Sequence, residues 1–174
     1  HALYSATKSI VSTLVGVQLN DGRLAGIDLP VSRIMNRPSG IRDTEWERAS
    51  TLTLRNMMNM ASGFAYAHNP SVSPLYDTRT NGFNYALSQQ IAAKPGTRFN
   101  YSDADASVTG AVVASVAGED LYAFARRAFA DEHGVNVVPR TGGTATEGGL
   151  ETHVPNSIVL DGAWRLTQGQ VPYA

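Results

Sequence analysis

Apolar residues recur at helical spacing near the start of the chain. Ile10, Val11, Leu14, Val15 and Val17 form a broad stripe, which predicts a well-buried helix over residues 5–20. Asn20-Asp21-Gly22 supplies its stop. Asp28-Leu29-Pro30 restarts the chain, and Val31, Ile34 and Met35 predict one short helical turn. Residues 36–50 are polar and read as loop. Within 51–61 a capping Thr53 precedes Leu54, Met57, Met58 and Met60, so a short helix is expected there, closed by Ser62-Gly63. The three methionines read as core packing.

Residues 65–80, with Pro70 and Pro74, read as a long irregular loop, a kind of segment that often carries function. A helix is expected over 81–93, closed by Lys94-Pro95-Gly96, then a short extended piece over 99–102. Residues 104–116 are rich in Ala and Val and predict a buried helix that tolerates Gly110. Gly118 breaks it, and a further helix is expected over 119–131, closed by His133-Gly134. After Val138 the pattern changes: Gly142-Gly143 and Gly148-Gly149 mark turns, and Ile158-Val159-Leu160 and Trp164 follow no clear period. The pattern holds four or five helices, few strand candidates and no internal repeat.

Composition narrows the function classes. At 174 residues the chain is expected to form one domain, 1–174, with a real core. A net charge of −1 and the lack of a basic cluster exclude a nucleic-acid patch, and Arg126-Arg127 reads as a solvated helix face. With no cysteine there is no disulfide, thiolate metal site or cysteine nucleophile. The apolar run over 10–19 is interrupted by Ser12, Thr13 and Gln18, so no membrane span is expected. His1, His68, His133 and His153 show no ligand spacing, so no metal or cofactor is expected and surface or loop roles are assigned to them. Compartment and oligomeric state are left open.

Candidate chemistry begins with the lysines. There are only two, against twelve arginines, and one completes Ser5-Ala6-Thr7-Lys8 at the start of the first predicted helix. Fourteen serines and two lysines would give Ser-x-x-Lys by accident roughly 0.2 times. Positions i and i+3 share a helix face, so the amine can reach the hydroxyl. Unpaired N–H groups at the helix start would favour a developing oxyanion. To act as a base, Lys8 must lose its proton well below the reference pKa of about 10.4. The plain alternative is an N-cap serine with a lysine whose stem lies along the surface. Tyr101-Ser102-Asp103 is the second candidate: a phenol near a lysine can shuttle a proton to a leaving group, or simply pack at a helix entry.

Taken in order, these segments resemble the serine β-lactamase and penicillin-binding-protein superfamily. Ser5-Ala6-Thr7-Lys8 is similar to its Ser-x-x-Lys motif. Asn20-Asp21-Gly22-Arg23-Leu24 and Asp28-Leu29-Pro30-Val31 resemble the passage that follows it, and Leu52-Thr53-Leu54-Arg55-Asn56-Met57-Met58-Asn59-Met60-Ala61-Ser62-Gly63-Phe64 resembles the next. Pro95-Gly96-Thr97-Arg98-Phe99-Asn100-Tyr101-Ser102-Asp103 resembles the passage with the Tyr-x-Asn motif, and Gly148-Gly149-Leu150 a later turn. The branch resembled is the class C-like one, with its β-lactamases, esterases, D-aminopeptidase-like enzymes and 6-aminohexanoate-dimer hydrolases. The resemblance implies an α/β fold, a β-lactamase/transpeptidase-like sandwich of an antiparallel sheet with helices. This chain would cover mainly the helical region and be incomplete at both ends.

The resemblance further implies a serine hydrolase that forms an acyl-enzyme on a small ester, amide or peptide-like substrate. Ser5 would be the nucleophile, Lys8 the base and Tyr101 the proton relay, with the Ser5 N–H as half of the oxyanion hole. Two departures bear on this. Asp103 stands where the family has Asn, and a carboxylate there would hold Lys8 protonated. The third family motif lies beyond the Gly-Gly-Leu turn in this branch, and the sequence given ends before it is expected; Arg140-Thr141-Gly142, spelled like it, precedes that turn and reads as loop. The rival readings are a non-catalytic homologue acting as a binding or sensor module, and a D-Ala-D-Ala carboxypeptidase or β-lactamase.

Overall fold

The computed structural model describes residues 5–69, 73–76, 80–131, 134, 136–140 and 157–161. Helix α6, Asp103–Ala117, is the hub. Around it pack α1 (Ala6–Asn20), α4 (Leu54–Met58), α5 (Gly82–Ser88) and α7 (Leu121–Arg126). Ala104, Val108, Ala111, Val112 and Val113 of α6 are fully buried, which is why its sequence carries so little polar contrast. Small side chains let four helices approach one. Ser102 caps its start by accepting from the Asp105 N–H at 3.1 Å, and Gly118 ends it in the left-handed conformation at φ +69°.

Helix α1 lays Val11, Leu14 and Val15 on the core. Its buried face is narrower than the sequence pattern implies, since Ile10 and Val17 are only partly buried against the core. Gln18 is fully buried instead, with its Nε2 donating to Val113 O of α6 at 2.7 Å. A polar side chain thus fastens the two long helices to each other. The short turn α2, Val31–Ile34, and the Thr53-capped α4 fall where expected. Met57 is fully buried, whereas Met58 is partly buried against the core and Met60 sits at φ +54°.

Three expectations about the helices are corrected. Residues 36–50 are not all loop: α3 runs Asp43–Ala49. Glu45 accepts from the Arg42 N–H at 3.1 Å and from the Arg42 guanidinium, which ties down the helix start, while Ala49 is buried. The helix expected over 81–93 stops at Ser88. Beyond it the backbone pairs with the strand-like segment after Gly63: Phe64 bridges Ile91 antiparallel, and the Ala65 N–H donates to Gln90 O at 2.8 Å. Arg48 binds the carbonyls of Leu87 and Gln89, both at 2.8 Å, capping the shortened helix. The helix expected over 119–131 begins at the Asp120 cap and gives way to a wider π-type turn, Arg127–Asp131.

Strands β1 (Asn136–Arg140) and β2 (Ser157–Asp161) pair in parallel, Asn136 opposite Ser157. Arg140 therefore ends a strand rather than lying in a loop. The Gly-Gly-Leu turn, His1, His133 and His153 lie outside the described residues. The antiparallel sheet implied by the resemblance is not found among the described residues, where that geometry is limited to the bridges Phe64–Ile91 and Pro30–Thr53. No single described helix is long and apolar enough to cross a membrane.

Candidate active site

The site is built where the start of α1 meets the start of α6. Ser5 precedes α1 with helical backbone angles, and the Lys8 N–H donates to Ser5 O at 3.0 Å. That closed first turn sets the two side chains on one face, and Lys8 Nζ donates to Ser5 Oγ at 3.3 Å. Ser102 is extended, at φ −142° and ψ 118°, and this turns Tyr101 and Asp103 toward α1 before α6 begins. The Tyr101 hydroxyl lies 2.5 Å from Ser5 Oγ. Ser5 Oγ is therefore flanked by an ammonium group and a phenol. Lys8 Nζ also lies 5.1 Å from the centre of the Tyr101 ring, a cation–π distance.

Asp103 anchors the lysine. Its Oδ1 is 2.8 Å from Lys8 Nζ, and both side chains are largely enclosed, at 11% and 25% exposure. Burial works against the charge on Lys8, but the Asp103 hydrogen bond and the Coulombic attraction of that carboxylate outweigh it and raise its pKa above the ordinary value. The lysine of the resting site is thus an ammonium ion.

The other oxygen of Asp103 faces two residues of the loop after α4. His68 Nδ1 lies 2.9 Å from Oδ2, and the Tyr66 hydroxyl donates to it at 3.4 Å. The His68 ring also meets the Tyr101 ring edge-on, centres 5.1 Å apart. Asn100 positions this loop: its Nδ2 donates to Phe64 O at 3.1 Å and to Tyr66 O at 2.9 Å. Burial raises the Tyr66 phenol above its usual range, the Asp103 carboxylate adding to the effect.

Below this cluster Asp105 is fully buried on α6. It accepts from Ser62 Oγ at 2.7 Å and from the Ser62 N–H at 3.2 Å, clamping the Ser62-Gly63 turn. Burial lifts its pKa to about 6 against the opposing pull of the Ser62 and Ser102 hydrogen bonds. Gly63 has φ +84°, and a Cβ there would lie 2.0 Å from Ala93 O, so the turn admits no side chain.

The structure brings together all four residues singled out in the sequence: Ser5, Lys8, Tyr101 and Asp103. Sequence reasoning missed Tyr66, His68, Asn100 and the Ser62–Asp105 clamp. The signal available for the first two was the irregular loop over 65–80. Among the described residues no group of three or more acidic, histidine or cysteine side chains could hold a metal ion.

The chain belongs to the Beta-lactamase family, whose pattern matches residues 1–137. That family comprises mostly serine hydrolases and implies an α/β fold. Two curated proteins, both called uncharacterized FAD-linked oxidoreductase YgcU, from Escherichia coli K12 and O157:H7, share a shorter likeness. Each is 66% identical over 35 residues, 20% of this chain. The chain spans only 7% of the length of these relatives.

Proposed function

We propose that this protein is a serine hydrolase of the class C-like branch, opening an ester or amide through an acyl-enzyme, as the esterases and 6-aminohexanoate-dimer hydrolases do. The observation that carries the reading is Ser5 Oγ held between Lys8 Nζ at 3.3 Å and the Tyr101 hydroxyl at 2.5 Å. Ser5 Oγ bonds to the substrate carbonyl carbon and its proton passes to the Lys8 amine. The oxyanion forms at the start of α1, with the Ser5 N–H as one half of the oxyanion hole. Tyr101 delivers a proton to the leaving group as the tetrahedral adduct collapses. Water then attacks the acyl-enzyme and the same groups run in reverse. Because Asp103 raises the Lys8 pKa, the neutral amine is a minor form at neutral pH, and acylation accelerates as pH rises. The reading keeps the chain as one β-lactamase-like domain with a small-molecule substrate. A D-Ala-D-Ala carboxypeptidase or β-lactamase would use the same acyl chemistry on a different substrate.

One observation favours a second reading. The 2.8 Å pair between Lys8 and Asp103 is what a site that binds without turning over would keep. Intact-mass analysis after exposure to a fluorophosphonate and to a fluorescent penicillin separates the two. Addition of one probe mass to the wild type, and none to Ser5→Ala with an unchanged circular dichroism spectrum, is the expected result. Full labelling of Ser5→Ala would remove Ser5 as nucleophile, and an unlabelled wild type across pH 6–10 would favour the binding module.

A further inference from the structure

We propose that His68 is a positioning residue that sets how firmly Lys8 is held as an ammonium ion, acting through the Asp103 carboxylate the two share. The inference rests on the hydrolase reading above for its consequence in catalysis, and on geometry alone for the coupling itself. Asp103 is claimed from both sides: Lys8 Nζ lies 2.8 Å from Oδ1, and His68 Nδ1 lies 2.9 Å from Oδ2. A carboxylate that accepts from an imidazole N–H has its charge partly neutralised there, and its hold on the lysine weakens accordingly. His68 is thus the counterweight to the residue that opposes base catalysis. Among the described residues, charged and titratable groups that face the pair include Lys8 from α1, Asp103 from α6, Tyr66 from the loop after α4 and Tyr101 from the segment before α6. Of these Tyr66 is the weaker donor to the same oxygen, at 3.4 Å. The His68 ring is fixed by its edge-on contact with Tyr101, so it is oriented as well as near. Its side chain is 41% exposed, and replacing it leaves the core intact.

The chain offers a direct readout, because Lys8 and Lys94 are its only lysines. Protein labelled with 13C at lysine Cε gives two side-chain signals whose pH titration reports each amine. In His68→Ala the Lys8 midpoint moves to higher pH while that of Lys94 stays. In His68→Gln, which retains an amide donor, it returns toward the wild-type position. In Asp103→Asn the His68→Ala change no longer moves it. Where the chain hydrolyses or is acylated, His68→Ala also lowers the rate about threefold at fixed pH on the alkaline limb, the scale of one neutral hydrogen bond. A Lys8 midpoint unmoved by His68→Ala, or moved equally in the Asp103→Asn background, overturns the proposal. The titration needs no turnover, so failure of the hydrolase reading, seen in Ser5 labelling, is distinguishable from failure of this one.

Discussion

Replacing Asp105 by asparagine should remove a pH dependence of stability that the wild type carries between pH 4 and 6. Asp105 is enclosed on α6, with its carboxylate clamping Ser62, and burial lifts its pKa from 3.8 to about 6. Between those values the folded chain binds a proton that the unfolded chain has released. Stability is therefore greatest below pH 4 on this account, falls as pH rises to 6 and is level above it. The raised pKa spans about two units, and at about 1.4 kcal/mol per unit the loss comes to about 3 kcal/mol. The asparagine side chain would be neutral throughout. Its carbonyl can keep the Ser62 hydroxyl bond, while its amide faces the Ser62 N–H, a mismatch that costs about 1–3 kcal/mol at every pH. The two proteins should thus differ most at acid pH and converge toward neutrality. Urea unfolding of both at half-unit steps from pH 4 to 7.5 measures this, and subtraction cancels the other titrating groups. A wild-type-minus-variant difference that stays flat across the range would refute the reasoning, and one that grows with pH would reverse its sign.

Other outcomes follow from the same geometry. Tyr101→Phe keeps the ring beside Lys8 and His68 but removes the hydroxyl 2.5 Å from Ser5 Oγ, so turnover of any hydrolysed ester should fall roughly 10²-fold with little change in melting temperature. Asp103→Asn takes away the charge that raises the Lys8 pKa, so the alkaline limb of acylation should move toward neutral pH and the rate at pH 7 should rise; an unmoved limb breaks the link between the two residues. Gly63→Ala should cost about 3 kcal/mol or more, from left-handed backbone plus the 2.0 Å approach to Ala93 O. The same change at Gly22, also at positive φ but with nothing within 4 Å, should cost only about 1 kcal/mol by denaturant unfolding.

The long helices and the four clustered side chains can be read from the sequence because their signals are local. A serine and a lysine one turn apart meet wherever the helix forms, and the Thr53 and Ser102 caps announce themselves by residue type. Helix α3 is hard to see in the sequence because its seven residues are too few to show an apolar period. Its start also depends on an Arg42–Glu45 contact rather than on a Ser or Asp cap. The end of α5 is not legible locally, because Gly63 and its neighbours, well upstream, claim the backbone after Ser88 for sheet-like pairing. His68 and Tyr66 belong to no motif at all. Their meaning comes from Asp103, which reaches them only when α6 is docked beside the loop.

The partners of the cluster are far apart along the chain: Ser5 and Tyr101 are separated by 96 positions, and Gln18 and Val113 by 95. Closing a loop of that size costs about 4 kcal/mol of chain entropy on the logarithmic scale. Contacts of such long range form late in folding, after the local turns of α1 and α6 are available. A partly folded chain can hold every helix of the region and still have Ser5 beside no phenol. On the proposed hydrolase reading, labelling of Ser5 would therefore report on the docking of α1 against α6, which the Gln18 side chain fastens.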